Sequence, residues 1–522
     1  LKPLLKIYLI AMLLFSIKVN GQVLEKQIPF STATPFLEPD GRREVLKVSS
    51  NEFVVLSKIK GGMNSESEYS LEKFDLSLNS SFKIPIKLSF YEDVFQLYFN
   101  GEDIIIFTIV HDLDNLESKC LAYAFNKSTG EKRWDKILMY QKIATFQAVR
   151  GRGVIEESFE NAICSNLSKN FIVPFEYQYY LSYSPDSTKL LLYNFDFSKH
   201  NLVGTALVFD KQLNKINEGI IPIDNNFINY GVHLNNRGDV YIVNADRMGR
   251  IVVVQYNLET RDNKLLDIQY SSTIREGLKC QVLSDDEVYV ASVNTSGHKV
   301  QGVMYAKFNF DKNLVEKINF HQFDEGLQQT ADAVHNEKYK SAENWEHYEI
   351  TNFVVNKFEK VVLVLEKREI NSLEYLYQTE APLEADRWKE RTGKVITESV
   401  ILISFNAMDE LMWENYYAKS QTADVTYGMT SCSYCMDITD ERIRMIYATA
   451  TGASGVFNTY NFVEWDARNG NKVKELPLQN DESLALVRNY CLWWEDQLFV
   501  VGRKGLLGKK YIAGTYKFSS GN

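Results

Sequence analysis

The chain has 522 residues, 45% hydrophobic and 24% charged, with a formal net charge of −10. A chain of this length and composition can bury enough apolar surface to fold without disulfides or metals. Acidic and without a basic cluster, it is a poor partner for nucleic acid or anionic lipid.

The first 21 residues read as a secretory leader: Lys2 and Lys6, an apolar or weakly polar run over 7–17, then Val19-Asn20-Gly21, with cleavage expected before Gln22. The run is about eleven residues, and a membrane span needs about twenty. Cleavage removes three Lys and no acid, which takes the charge to about −13. The remaining chain, 22–522, is expected to be a single exported domain, periplasmic or extracellular, soluble after cleavage and monomeric.

From there a phrase repeats. A short apolar strand opened by a turn is followed by an apolar strand, a polar turn and a further apolar strand. The short strands are NEFVVLSKIK (51–60), GEDIIIFTIV (101–110), STKLLLYNFD (187–196), RGDVYIVNAD (237–246), DDEVYVASVN (285–294), FEKVVLVLEK (358–367), DERIRMIYAT (440–449) and EDQLFVVGRK (495–504). The hairpins that follow include YSLEKFDLSLNSSFKIPIKL (69–88), GTALVFDKQLNKINEGIIPID (204–224) and NFVEWDARNGNKVKELPLQN (461–480). These runs are rich in Val, Ile, Leu and Tyr, bounded by Asn, Asp and Gly, and too short for helices. A preceding strand, as in YYLSYSPD (179–186) or NYCLWWED (489–496), makes four per unit, here A to D.

Four antiparallel strands repeated about every 50 to 60 residues is the pattern of a β-propeller. The sequence predicts an all-β fold with eight blades, seven being the alternative because the third and sixth units are long and irregular. The last unit, YIAGTYKFSSGN (511–522), has strand C and no strand D. The segment VLEKQIPF (23–30) matches the D-strand phrases IIPI (220–223), KIPI (83–86) and ELPL (475–478). It is expected to complete the last blade, which would otherwise expose a sheet edge.

SYSPDSTKLLLY (182–193) resembles the Ser-Pro-Asp turn of WD-repeat and Tol-type exported propellers, and STGEKRW (128–134) resembles the Thr-Gly-x-x-x-Trp of quinoprotein blades. The resemblance is to the propeller superfamily and to no particular family within it. It implies the fold; because the Trp motif is not repeated around the ring, it does not imply a quinone, and no cofactor is expected.

Antiparallel order sends B-to-C loops and D-to-A connections to one face, A-to-B and C-to-D turns to the other. Insertions at about 141–178, 324–349 and 368–398 all belong to the first face. Long loops on a compact scaffold are disproportionately functional. The candidate ligand-binding residues are His335, Trp345, His347 and Tyr348 in the second insertion, with Tyr375, Tyr377, Arg387 and Trp388 in the third. Aromatic rings beside charges suit a protein or glycan partner; the plainer role for the same side chains is to pin the insertions to the rim.

Cys432-Ser-Tyr-Cys435 could be a redox pair or half a zinc site. On a predicted strand A, residues three apart face opposite sides about 10 Å from one another, beyond the roughly 7 Å a disulfide tolerates. Cys280 and Cys491 occupy similar inner-strand positions, as a small buried apolar residue would; Cys120 and Cys164 have no assigned role. The alternating oxygens of 111–115 and of DITDE (437–441) lack the Gly and distal Glu of a calcium loop, so no metal site is expected. Nucleophile elbow, phosphate loop, dinucleotide fingerprint and His-Glu-x-x-His are all missing. The reading is therefore a non-enzymatic binding or scaffold module that works through the insertion face. The alternative is a hydrolase or lyase with residues converging on the channel mouth of that face.

Overall fold

The computed structural model describes residues 22–30, 45–62, 65–89, 92–112, 117–142, 179–196, 203–222, 227–246, 248–269, 278–371, 394–424, 432–451, 457–479, 484–486, 490–504 and 510–518. Its strands form eight four-stranded antiparallel blades. Blade one is Val45–Lys47, Glu52–Gly62, Ser65–Asp75 and Ser80–Leu88, and blade two runs from Glu92 to Lys142. Blade five ends in Leu314–Gln322, and blade six is Tyr348–Val355, Val361–Asn371, Lys394–Phe405 and Leu411–Asp424.

The B strands read as unbroken apolar runs because both of their faces are covered. In blade two, Ile104 and Ile106 point into the core shared with blade one, whereas Ile105 and Phe107 point into the core shared with blade three. Blade six divides in the same way: Val361, Leu363 and Leu365 face blade five, Val362 and Val364 face blade seven. The apolar interior is therefore eight slabs, one at each junction between neighbours. The D strands cover only one side and alternate, as in Lys215–Pro222, where Ile221 is buried and Ile220 is 58% exposed.

The recurring hairpin phrase is a turn with a mechanism. In DLSLN and DKQLN the opening Asp accepts the amide of the Asn four residues on, at 2.9 Å for Asp75 and Asn79 and 2.8 Å for Asp210 and Asn214. Leu78 and Leu213 sit between them at φ 58°. Another C-to-D turn needs glycine for a different reason. Gly470 has φ 72°, and a Cβ there would lie 2.6 Å from the Trp413 ring of the preceding blade.

The ring closes as the sequence predicts, and the eight-blade count stands. Gln22–Phe30 pairs antiparallel with blade eight's C strand, Leu24 opposite Tyr516 through Phe30 opposite Tyr511. Its first two residues also run parallel to blade seven's D strand, Gln22 beside Leu478 and Val23 beside Gln479. One strand thus fills the missing D position and ties two blades at the rim.

Two boundaries differ from the sequence reading. Strand B of blade six runs to Asn371 and strand C begins at Lys394, so residues 368–371 and 394–398 belong to the sheet; apolar alternation ends at Leu365 while backbone pairing continues. Cys432 precedes strand A of blade seven, which spans Tyr434–Ile438, and Ser433 between them has φ 71°. Cys432 is buried in the slab between blades seven and eight, with Cys435 and Cys491 packed on the same slab. Cys120 lies in the slab between blades two and three, where burial pushes its thiol pKa up, and Cys280 packs on another slab. Cys164 is outside the described residues.

Removing residues 22–30 should lower the melting temperature, and a synthetic QVLEKQIPF peptide should restore part of the loss by refilling the D position. Calorimetry of the truncated chain with and without peptide checks this; an unchanged midpoint would show that closure does not depend on this strand.

Candidate functional site

The insertion face is best described at the junction of blades five and six, where a helix and its following loop fill the D-to-A connection. The helix α1 spans Glu325–Tyr339. Asp324 caps it, accepting from the Leu327 amide at 2.6 Å, and Lys340 ends it at φ 63° with its amide on the Asn336 carbonyl. Leu327, Ala331 and His335, four apart, form its buried face. Gln329, Thr330, Ala333, Val334, Asn336 and Glu337 form the outward one.

Past the helix, the loop folds back into the blade. Val300 of blade five donates to the Trp345 carbonyl at 2.7 Å, and Arg368 of blade six donates to the His347 carbonyl at 2.8 Å. Trp345 (φ 58°) and His347 (φ 61°) take left-handed backbone to make this turn. The Trp345 ring packs among Phe323, Tyr348 and Tyr416, centroids 5.5, 6.0 and 6.5 Å away.

Beneath the loop lies a layer of buried charge. Strands B, C and D of blade six are 11, 12 and 14 residues long, whereas B, C and D of blade four are 6, 7 and 7. Where the blade-six strands run past the apolar slabs, their inward side chains become ionic. On the blade-five side, Glu343 of the loop receives Lys367 Nζ at 2.9 Å on Oε1, and the hydroxyls of Ser399 at 3.0 Å and Tyr416 at 2.6 Å on Oε2. His335 Nε2 stands 3.8 Å from the same oxygen, and Lys367 also meets Glu398 at 2.8 Å. On the blade-seven side, Glu366 pairs with Lys419 at 2.6 Å and Arg368 at 2.5 Å, and Ser433 donates to it at 2.6 Å. Thr397 and Gln421 complete the shell around Lys419, at 3.1 and 2.8 Å.

Three carboxylates thus face three cations, and the layer is neutral overall. Burial by itself raises the Glu343 carboxyl, but Tyr416, Lys367 and His335 more than offset it and hold the group at about 2. Glu366 is likewise raised by burial and then held at about 2 by Lys419, Arg368 and Ser433. Desolvation depresses Lys419 despite its partner Glu366. Lys367, also desolvated, ends above its ordinary value because Glu398 and Glu343 flank it. Buried pairs of this kind cost desolvation to form, yet losing one partner strands the other. Chemically, the layer is a lock, since its titratable groups are spent on one another.

The sequence candidates fall into two groups. His335 and Tyr348 are 6% and 0% exposed and Trp345 and His347 are half-buried; His335, Trp345 and Tyr348 gather around Glu343 and Tyr416, whereas His347 contributes its backbone carbonyl to the Arg368 amide. Tyr375, Tyr377, Arg387 and Trp388 lie outside the described residues, as does most of the 141–178 insertion. Sequence reasoning missed Glu343, Glu366, Lys367, Arg368, Ser399, Tyr416 and Lys419. The available signal was the Glu-Lys-Arg triplet directly after Val361–Leu365. The DITDE segment is the A-to-B turn of blade seven, with the Thr439 amide on the Arg442 carbonyl at 2.9 Å.

No protein-family model matches the chain, and no curated protein matches it. Among solved structures it is similar to a prolyl endopeptidase at 8% identity, covering 91% of this chain and 56% of that one, with TM-score 0.40. Dipeptidyl peptidase 4 of Porphyromonas gingivalis gives 9% identity, 91% and 67% coverage and TM-score 0.39. The β-propeller domain of the Trilobed protease from Pyrococcus furiosus gives 9% identity, 83% and 98% coverage and TM-score 0.36. This chain therefore spans about half the length of the first. The propeller architecture rests on this chain's own sheet order, and such distant likenesses say nothing of its chemistry.

Glu343→Gln should cost about 3 kcal/mol at pH 7, because the hydroxyls of Ser399 and Tyr416 lose their charged acceptor and Lys367 keeps Glu398 as its one carboxylate partner among the described residues. The linkage runs the same way. A carboxyl held at about 2 in the fold and near 4.5 when unfolded stabilises fully above pH 4.5, and that contribution disappears as pH falls toward 2. Urea titrations at pH 7 and pH 3 should show a large gap between wild type and variant at the first and a smaller one at the second. Equal stability at pH 7 would mean Glu343 is no anchor.

Proposed function

We propose that the chain is an exported binding module that holds a protein or glycan on its insertion face. The observation that carries this reading is the anchoring of 324–347. A capped helix is fastened by a buried carboxylate, and it turns a continuous, mostly uncharged face of Gln329, Thr330, Ala333, Val334, Asn336 and Glu337 outward. A rigid hydrogen-bonding surface loses little entropy on association, which is what a recognition platform requires. The titratable side chains beneath it are committed to ion pairs, which favours binding over acid–base catalysis at this junction.

Export is supported by the leader-like composition of residues 1–21, basic residues followed by an apolar run and small residues. Among the described residues no helix is long and apolar enough to cross a membrane.

Glycan-array and peptide-library binding of the chain against a Thr330→Lys, Asn336→Lys double variant tests the surface. Both side chains are on the exposed side of the helix, so folding should be intact. At least a tenfold loss for the bound class is expected; retention of the same ligands at the same affinity would remove this face from the site.

A further inference from the structure

Strand D is the outer edge of each blade, and an edge strand offers a row of backbone N–H and C=O groups to any other strand. Charges and prolines ordinarily guard such edges. Blades one, two, three, four and seven follow that rule, with Lys83, Asp135, Glu218, Asp267 and Glu475 among the exposed residues of their D strands. In blade six the described D-strand side chains are exposed only at the first two positions, Leu411 and Met412.

Blade five breaks the rule. The exposed positions of its D strand, Leu314–Gln322, are Leu314, Ile318, Phe320 and Gln322, the first three at 44%, 47% and 54%, and none carries a charge. Among the described residues its one strand partner is strand C of the same blade, Lys299–Asn309. The strand's charged side chains are turned toward its own propeller and are already paired. Glu316 meets Lys307 at 3.1 Å and also Lys312, Lys317 reaches Glu359 at 3.0 Å, and His321 Nε2 lies 2.6 Å from Glu414 Oε2. Covering this edge therefore strands no charge.

The surroundings are apolar as well. Of the fifteen large hydrophobic side chains that stand exposed among the described residues, eight lie between Leu314 and Met412. The turn of blade six that receives Lys317 on the Ala407 carbonyl at 2.6 Å and Asn319 on the Asp409 carbonyl at 2.8 Å exposes Met408 between them, at 74%. Apolar surface gathered at one rim marks a protein contact.

The occupant that this edge fits is a second copy of itself. Around a two-fold axis, residues near the axis meet their own copies or close neighbours, so a charged edge repels itself and an uncharged one does not. Antiparallel pairing about Asn319 would set Ile318 of each copy opposite Phe320 of the other, an aromatic and β-branched pair on both sides of the axis. We propose that the chain forms a two-fold dimer in which Leu314–Gln322 pairs antiparallel with the same strand of a second copy, joining the two fifth blades into one sheet. The protein would then be a dimer in place of the monomer expected from its sequence.

Sedimentation equilibrium of the whole chain over a range of concentrations tests this. Wild type should dimerise reversibly, and added salt should tighten the dimer by screening two chains of formal net charge −10 from one another. Ile318→Lys puts two cations beside the axis and should weaken the dimer at least tenfold, while Ile318→Val should leave it unchanged. Ile220→Lys, at the 58% exposed position on the edge of blade three, should have no effect. Both lysines replace exposed side chains, so each variant should keep the wild-type circular dichroism. Amide exchange within 314–322 should slow as the dimer forms, which packing without strand pairing would not cause. A monomer at every concentration up to the solubility limit, a dimer that Ile318→Lys leaves as tight as wild type, one that salt loosens, or exchange in 314–322 that ignores dimerisation would each overturn the assignment.

Discussion

A sheet with apolar side chains on both faces has no stable existence alone, and every blade of this protein is such a sheet. The interior is eight slabs, each half-owned by two neighbours, so removing one blade uncovers two slabs. The constraint is circular: the first blade is covered only if the last one reaches it. Phe53 and Phe74 of blade one meet Trp494 and Phe499 of blade eight in one slab, with Phe53 ring centroids at 5.1 Å from Trp494 and 4.5 Å from Phe499. The strand Gln22–Phe30 serves the same constraint at the rim, covering the edge that blade eight would otherwise present.

The special character of blade six follows from the same geometry. Its B, C and D strands outrun the slabs on either side, and the side chains that continue them inward are buried yet charged. Buried charges are tolerated only when they are paired, and the loop after α1 supplies Glu343 as one of the partners. The D-to-A connection is thereby part of the blade rather than a loop lying on it. Its outward face inherits the rigidity of the core beneath, which is why it is favoured as the recognition surface. The short-turn face differs: its polar and charged side chains tie one blade to the next, as Asn356 does with Asp440 and Arg237 with Asp286.

Most of the architecture was legible because it depends on local, repeated signals. Runs such as Ile104–Phe107 announce a strand buried on both sides, and the D-strand phrases of 83–86, 220–223 and 475–478 identify 23–30 as their missing copy. The candidate site was less legible. Val361–Leu365 reads as core and Glu366–Arg368 as its solvent-exposed end, because a charged triplet is ordinarily wet. Its burial depends on strand length and on a carboxylate 24 residues away from Lys367, which no local pattern encodes. Trp345 and Tyr348 looked like ligand contacts for a related reason. Tyr348 points inward only because it pairs opposite Lys367 at the start of strand A, a register that the mixture of rings and charges does not reveal.

Amide hydrogen exchange across α1 addresses the central claim most directly, that the insertion is one cooperative unit with blade six. If Glu343 and its partners lock the two together, the amides of 329–339 should exchange at the rate of the blade-six B and C strands and respond to urea with the same slope. Exchange of the helix several orders of magnitude faster than those strands, with little dependence on urea, would show a loosely held flap and contradict the platform.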